Sequence, residues 1–207
     1  LKPDGEADLR PDITLMSPFF FGTGVMPHVF TEDAIFSNTM KFVEDTLWDP
    51  DLGMLQRYLP FIEDPNTHVH AGNGPWVQYT AMLAQYNYFT GKVEKGDRII
   101  DSIDRYSADG YLCEHLTTPE RFREFLTLEW LSGTDVSKEF AANIMVDGIT
   151  YDLIVEELNH MKNSYEQIKK KIEAGADNYL TFAMPLMWSH AEYAMALLLK
   201  TWRELLD

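Results

Sequence analysis

Residues 74–90, GPWVQYTAMLAQYNYFT, place apolar and aromatic groups almost all the way round a helix. Pro75 lies near the first helical position and Gly91 follows the last, the usual asymmetry of a helix start and stop. A helix that is apolar on every side is stable only when it is buried, so this chain needs other helices around it. Thr31 offers an N-cap for one of them, with Glu32 and Asp33 in the first turn, where acids suit the helix dipole. Phe36, Met40, Val43 and Leu47 follow at alternating spacings of four and three and form one apolar stripe, which Asp49-Pro50-Asp51 ends. Residues 94–106 predict a shorter amphipathic helix with Ile99, Ile100, Ile103 and Tyr106 inward, and residues 119–132 and 138–146 predict two short ones. Over residues 151–173 the stripe Ile154, Leu158, Met161, Tyr165, Ile168, Ile172 faces a Lys/Glu-rich side, the pattern of a surface helix. Residues 187–206 are apolar on most sides and predict a second buried helix. No strand alternation is sustained anywhere. The fold class that follows is all-α, with about six or seven helices, buried and amphipathic ones interleaved.

Between these helices run two long connections rich in polar and aromatic residues, 50–72 and the stretch ADGYLCEHLTTPE. Long loops on a rigid scaffold are where function concentrates. Residues 1–30 hold Pro, Gly and the run Phe19, Phe20, Phe21, and predict an irregular packed segment. The chain of 207 residues amounts to one ordinary domain or part of a larger one. Its 17 basic and 33 acidic residues give a net charge of −16, which argues against nucleic acid and membrane partners and leaves carbohydrate, peptide or cationic ones. No apolar run approaches the ~20 residues that span a bilayer. A single cysteine, Cys113, excludes a disulfide framework and a Cys-rich zinc site. The N-terminus, LKPDGEADLRPD, is charged and is no signal peptide, so a cytoplasmic location is expected. It begins with Leu, the expectation being a processed product or a fragment.

Several residues are candidates for chemistry. Glu114 lies in a helix-connecting loop between Tyr111-Leu112-Cys113 and His115, where burial and neighbours tune a carboxylate; its ordinary alternative is a surface Glu in a turn. Glu192, polar on a mostly apolar helix, needs a partner, and a structural hydrogen bond or ion pair competes with a catalytic role. His68 and His70, with His115, His190 and Glu114, raise a metal site, but His-x-His is unspecific and no His-Glu-x-x-His pattern occurs. Cys113 has no cationic run nearby to make it a nucleophile. Gly72-Asn73-Gly74 lacks the strand and the lysine of a phosphate loop. Trp48, Tyr58, Phe61, Trp76, Tyr79, Tyr111 and Trp188 fall in or beside the loops, and aromatic faces with charged acceptors suit a sugar pocket as well as a core.

Three segments carry a family resemblance. QRYLPFIEDPNTHVHAGNGPWVQYTAMLAQYNYFTG resembles the Arg-Tyr…Glu-Asp…Gly-Asn-Pro-Trp segment of glycoside hydrolase family 15, which holds the glucoamylases, glucodextranases and related trehalases. DGYLCEHL is similar to its Gly-x-x-x-Glu-Gln loop, and PLMWSHAEYAMAL to its Pro-Leu-x-Trp-Ser-His-Ala-Glu helix, in the same order. Together they cover much of residues 52–116 and 184–200. The resemblance implies part of an (α/α)6 barrel and inverting hydrolysis of terminal α-linked glucose from oligo- or polysaccharide, without cofactor or metal. It puts the general base on Glu114, a sugar-binding role on Arg57 with Tyr58, an acidic pair on Glu63 and Asp64, and a pocket wall on Trp76; Glu192 becomes structural.

This sequence departs from the family pattern at three places: His115 stands for the usual Gln, Gly74 is extra, and residues 117–180 read as a helical insertion. The general acid is expected upstream of this chain. Residues 1–207 then form the C-terminal half of the barrel, whose partner is the missing N-terminal half or a second copy. The alternatives are a non-catalytic carbohydrate- or partner-binding helical module and a trehalase-type member of the same family.

Overall fold

The computed structural model describes residues 11–16, 34–58, 74–121 and 179–205, together with Asn163, Glu166, Gln167 and Lys170. The chain divides into two compact units, one of Leu1–Leu59, Gly74–Leu116 and Thr181–Asp207, the other of Pro60–Asn73 and Thr117–Leu180. In the second unit, residues 119–121 and Asn163, Glu166, Gln167 and Lys170 are helical. The rest of the helices expected over 119–132 and 151–173, and all of 138–146, lie outside the described residues. No described helix is long and apolar enough to cross a membrane.

The first unit opens with a short 3-10 helix, Ile13–Met16, inside the segment expected to be irregular. Helix α1, Ala34–Leu47, follows, and its predicted stripe of Phe36, Met40, Val43 and Leu47 is buried; the expected cap at Thr31 lies outside the described residues. Strands β1 (Trp48–Asp49) and β2 (Met54–Leu55) then form an antiparallel hairpin with Trp48 opposite Leu55. The fully buried Asp49 carboxylate holds this turn. One oxygen accepts the N–H groups of Asp51 and Leu52 at 3.0 and 3.1 Å, and the other accepts Gln56 Nε2 at 3.2 Å. Gly53, at φ 72°, supplies the left-handed residue that the turn requires.

Helix α2, Val77–Phe89, is buried at every position from Val77 to Tyr88, as its all-round apolar pattern predicts. It starts at Val77, two residues after Pro75, because Trp76 has extended backbone and bridges to His115 while Pro75 bridges to Gln56. Helix α3, Val93–Asp104, buries Ile99, Ile100 and Ile103 against α2, and Tyr106 is half-buried just beyond its end. Strands β3 (His115–Thr117) and β4 (Leu180–Phe182) make a second two-stranded sheet, and α4, Met187–Glu204, packs on α2. The two small sheets correct the all-α expectation: the described part is helical with short pairs of strands. Strands of two or three residues are too short for alternation to be read.

The expectation that the last helix is buried also needs correction. Only Ser189 and Ala196 of α4 are buried, and Met187, Leu198 and Leu205 are exposed. One side of this helix covers α2, and the other carries exposed apolar residues, of which Trp202 lies against Phe89.

The three helices α2, α3 and α4 meet at Asp97. Its carboxylate accepts the Tyr88 hydroxyl at 2.8 Å from α2 and the Lys200 ammonium at 2.7 Å from α4. Burial pushes this carboxyl upward, but the bonds from Lys200 and Tyr88 outweigh it and hold it below its ordinary value. Tyr88 is fully buried, and its ring fills the space over Gly96. A Cβ at Gly96 would lie 2.5 Å from Tyr88 Cε1, closer than atoms pack. Gly96→Ala is therefore expected to destabilise the protein by about 1–3 kcal/mol, the usual cost of overpacking, despite the higher helix propensity of Ala. Denaturant unfolding of both proteins measures it, and an equal or higher midpoint would contradict the packing described.

Candidate functional site

At the N-terminal end of α2 several chain segments lie edge to edge. Ile13 N–H donates to Arg57 O at 2.8 Å, and Trp76 N–H to Leu55 O at 2.8 Å. Val77 N–H donates to Glu114 O and Leu116 N–H to Pro75 O, both at 3.0 Å, and Glu114 N–H reaches Phe182 O at 3.0 Å. Backbone pairing thus fixes Arg57, Trp76, Glu114 and Phe182 on neighbouring segments, although they come from four distant stretches of sequence.

The side chains of Arg57, Trp76, His115 and Phe182 form a column. The Arg57 guanidinium carbon lies 5.0 Å from the Trp76 ring centroid and 5.7 Å from that of Tyr58. Trp76 stacks on His115 at 5.3 Å and 18°, and His115 stacks on Phe182 at 4.8 Å and 10°. Tyr79 stands beside Trp76 at 6.1 Å and meets Trp188 edge-on at 5.4 Å. Burial raises the Tyr79 phenol above its ordinary value; Arg57 draws it down, and Asp12 and Glu114 push it further up, so all three charges act on one site. The Glu114 side chain is 32% exposed, and its carboxylate lies 4.0 Å from His115 Nδ1.

Among the described residues Glu114 makes no side-chain hydrogen bond and Arg57 no ion pair, and the buried Arg57 Nε has no acceptor. Buried polar groups are nearly always paired, so an unmatched one calls for an explanation. An unoccupied carboxylate and an unmatched guanidinium at a wall of rings can bind a polyhydroxylated ring: the aromatic faces cover its CH groups, and the charges take its hydroxyls.

Helix α4 holds this loop from behind. The buried Ser189 hydroxyl donates to Cys113 O at 2.7 Å, Leu186 N–H donates to Leu112 O at 2.9 Å, and Leu112 N–H donates to His190 Nε2 at 3.2 Å. Glu192 has both oxygens engaged, by Trp188 Nε1 at 3.0 Å and Gln85 Nε2 at 2.8 Å. The structural reading of Glu192 fits this geometry.

The structure therefore brings Arg57, Tyr58, Trp76 and Glu114 together. Glu63, Asp64, His68 and His70 lie outside the described residues. No group of three metal-ligating side chains occurs among the described residues. Sequence reasoning missed the stacking of His115, which depends on Phe182, 67 positions further along the chain. It also gave Tyr79 no separate role; its place one turn from Trp76 in the buried helix was the available signal.

Cys113 is 1% exposed, and burial, with Glu114 adding to it, pushes its thiol up to about 12. A neutral buried thiol is inert. Native protein at pH 8 is expected to react with a thiol reagent only after unfolding, and rapid labelling would contradict this packing. The ordinary thiol value is 9.0, so the unfolded chain ionises first. The stability contributed by the neutral buried group is complete below pH 9 and is lost as pH rises toward about 12.

No family model matches the chain, and no curated protein does. Among solved structures it is similar to a chain named Glycosidase, in the wild type and in two single-residue variants. Each shows 18% identity and a TM-score of 0.51 over 95% of this chain and 37% of theirs. At that identity the likeness is one of fold: the chain shares a helical fold with a glycosidase and spans just over a third of its length.

Proposed function

We propose that residues 1–207 carry the base side of a glucoamylase-like glycoside hydrolase site, which removes terminal α-linked glucose with inversion. The observation that carries this reading is that Arg57, its guanidinium against Trp76 and its Nε without an acceptor, and a partly exposed Glu114 carboxylate stand on neighbouring backbone-paired segments. Glu114 takes the proton of the attacking water. Arg57 holds hydroxyls of the terminal sugar, and Trp76 and Tyr58 border it. The resemblance of QRY, GNGPW and DGYLCEHL to family 15 supports these roles and adds Glu63 and Asp64 as substrate-side acids. The fold likeness to a glycosidase agrees with it. Inversion needs a second carboxylic acid on the opposite face of the sugar to protonate the leaving oxygen, and this reading takes that acid from upstream of Leu1.

The test is hydrolysis of maltose, dextran oligosaccharides and trehalose by the protein containing these residues, with the product anomer followed by NMR. Glucose is expected first as the β-anomer, because base and acid flank a water on the inverting path. Glu114→Gln is expected to cut kcat by about 10²–10⁴-fold with affinity nearly unchanged. Arg57→Ala is expected to raise KM as well, because it removes a sugar contact made before the transition state. Retention of the α-configuration, or a fully active Glu114→Gln protein, would defeat the assignment. Hydrolysis of trehalose alone would move the reading to the trehalase branch.

A further inference from the structure

Tyr79 follows Trp76 by three residues at the start of α2, and the two rings lie 6.1 Å apart at 46°. Trp188 of α4 meets Tyr79 edge-on at 5.4 Å. Trp188 is itself held, its Nε1 donating to Glu192 Oε1 at 3.0 Å while Gln85 Nε2 donates to the other Glu192 oxygen at 2.8 Å. Tyr79 is thus fixed by neighbours that are themselves fixed, and it is only 5% exposed. Its hydroxyl nonetheless makes no hydrogen bond among the described residues. A tyrosine buried to that degree ordinarily finds a partner for its hydroxyl, as Tyr88 on the same helix does in Asp97 at 2.8 Å. The charges that act on the Tyr79 phenol are those of Arg57, Asp12 and Glu114, so its polar end belongs to the candidate site. The Arg57 Nε is likewise buried without an acceptor. Two polar groups of different kinds are therefore unmatched at one site, where a pairing group is to be looked for.

We propose that the Tyr79 hydroxyl is a further sugar-contacting group of this site, hydrogen-bonded to one hydroxyl of the ring that Arg57 and Trp76 hold. Resting on the sugar-site reading above, this role makes Tyr79 the residue that selects a ring hydroxylated at that position. Burial keeps the phenol protonated at neutral pH, so it can donate, and its lone pairs can accept. A sugar hydroxyl also both donates and accepts, and it brings no charge to be stripped of water. An anionic group at the same place would meet two carboxylates, Asp12 and Glu114, against the single guanidinium of Arg57 among the charges acting there. A phenol held in position before binding loses little freedom when the bond forms. An analogue lacking the hydroxyl leaves the phenol buried and unmatched, which is how a polar site rejects it.

Titration calorimetry of glucose and a series of monodeoxyglucoses, on the full protein containing these residues, tests this without hydrolysis. Tyr79→Phe, which keeps the ring against Trp188, is expected to weaken glucose binding by about 2–10-fold, the worth of one uncharged hydrogen bond. For the one analogue that lacks the hydroxyl held by Tyr79, the unsubstituted and Tyr79→Phe proteins are expected to bind equally. Tyr86→Phe, toward the other end of α2, is expected to leave every affinity unchanged. Glucose affinity indifferent to Tyr79→Phe, or weakened by one factor for every analogue, would overturn the role of the hydroxyl and leave the sugar site standing. A loss of stability alone would assign the hydroxyl to a protein partner and overturn it equally. Failure of the unsubstituted protein to bind glucose would overturn both readings. Selective weakening by Tyr79→Phe, beside a fully active Glu114→Gln protein, would uphold Tyr79 while the assignment of the base fails.

Discussion

A helix with no solvent-facing side must find partners for its own polar groups, and α2 buries Gln78, Thr80, Gln85 and Asn87. Leaving such groups unmet costs about 1–3 kcal/mol each, so their bonds decide what can pack around the helix. Thr80 donates to Trp76 O at 2.8 Å and accepts Leu55 N–H at 3.0 Å, which fastens the first hairpin to the start of α2. Gln85 donates to the carboxylate and to the backbone carbonyl of Glu192, which fixes α4 along it. Ser189 of α4 has one proton and two acceptors, Cys113 O at 2.7 Å and Gln78 Oε1 at 3.2 Å. Through that shared hydroxyl the loop bearing Glu114 is tied to α2 and α4 together. The candidate site thus stands on bonds that satisfy much of a buried helix, with Gln78 Nε2 and Asn87 Oδ1 left without a partner among the described residues.

The same constraint explains which parts of the fold were legible in the sequence. The stripe of α1, the all-round burial of α2 and the inward isoleucines of α3 are patterns within one element, and each was read from spacing alone. The hairpin after α1 was not, because β1 and β2 have two residues each and their turn depends on Asp49, whose burial no periodicity announces. The last helix shows a different limit. An apolar pattern states that a face requires cover; it does not state which molecule supplies the cover. Along α4 the described chain covers one side only.

At the site, Arg57, Trp76 and Glu114 were singled out through short motifs, and backbone pairing puts them on adjacent segments. Their surroundings were harder to foresee. His115 was noted only as a substitution for a Gln, yet it is a plate between Trp76 and Phe182 and so helps keep the indole in place. A histidine used for its ring face leaves the same mark in a sequence as one used for its nitrogens. Glu63 and Asp64 were singled out by the same motif and lie outside the described residues.

Glu114 and Glu192 show how environment sorts two similar carboxylates. Each was a candidate, and each stands near an aromatic wall and a histidine in sequence. To accept a proton from water, a carboxylate needs a free lone pair and access for the water. Both Glu192 oxygens already accept donors, Trp188 Nε1 and Gln85 Nε2, so its carboxylate is tied into the packing of α4 on α2. Glu114 meets both conditions, with no donor on its carboxylate and a third of its side chain open. Its backbone is the constrained part, donating to Phe182 and accepting from Val77. That combination, a fixed main chain below an unengaged side chain, holds a carboxylate in place without spending its lone pairs, as the proposed role of base requires. It is a stronger argument for Glu114 than its position in a motif.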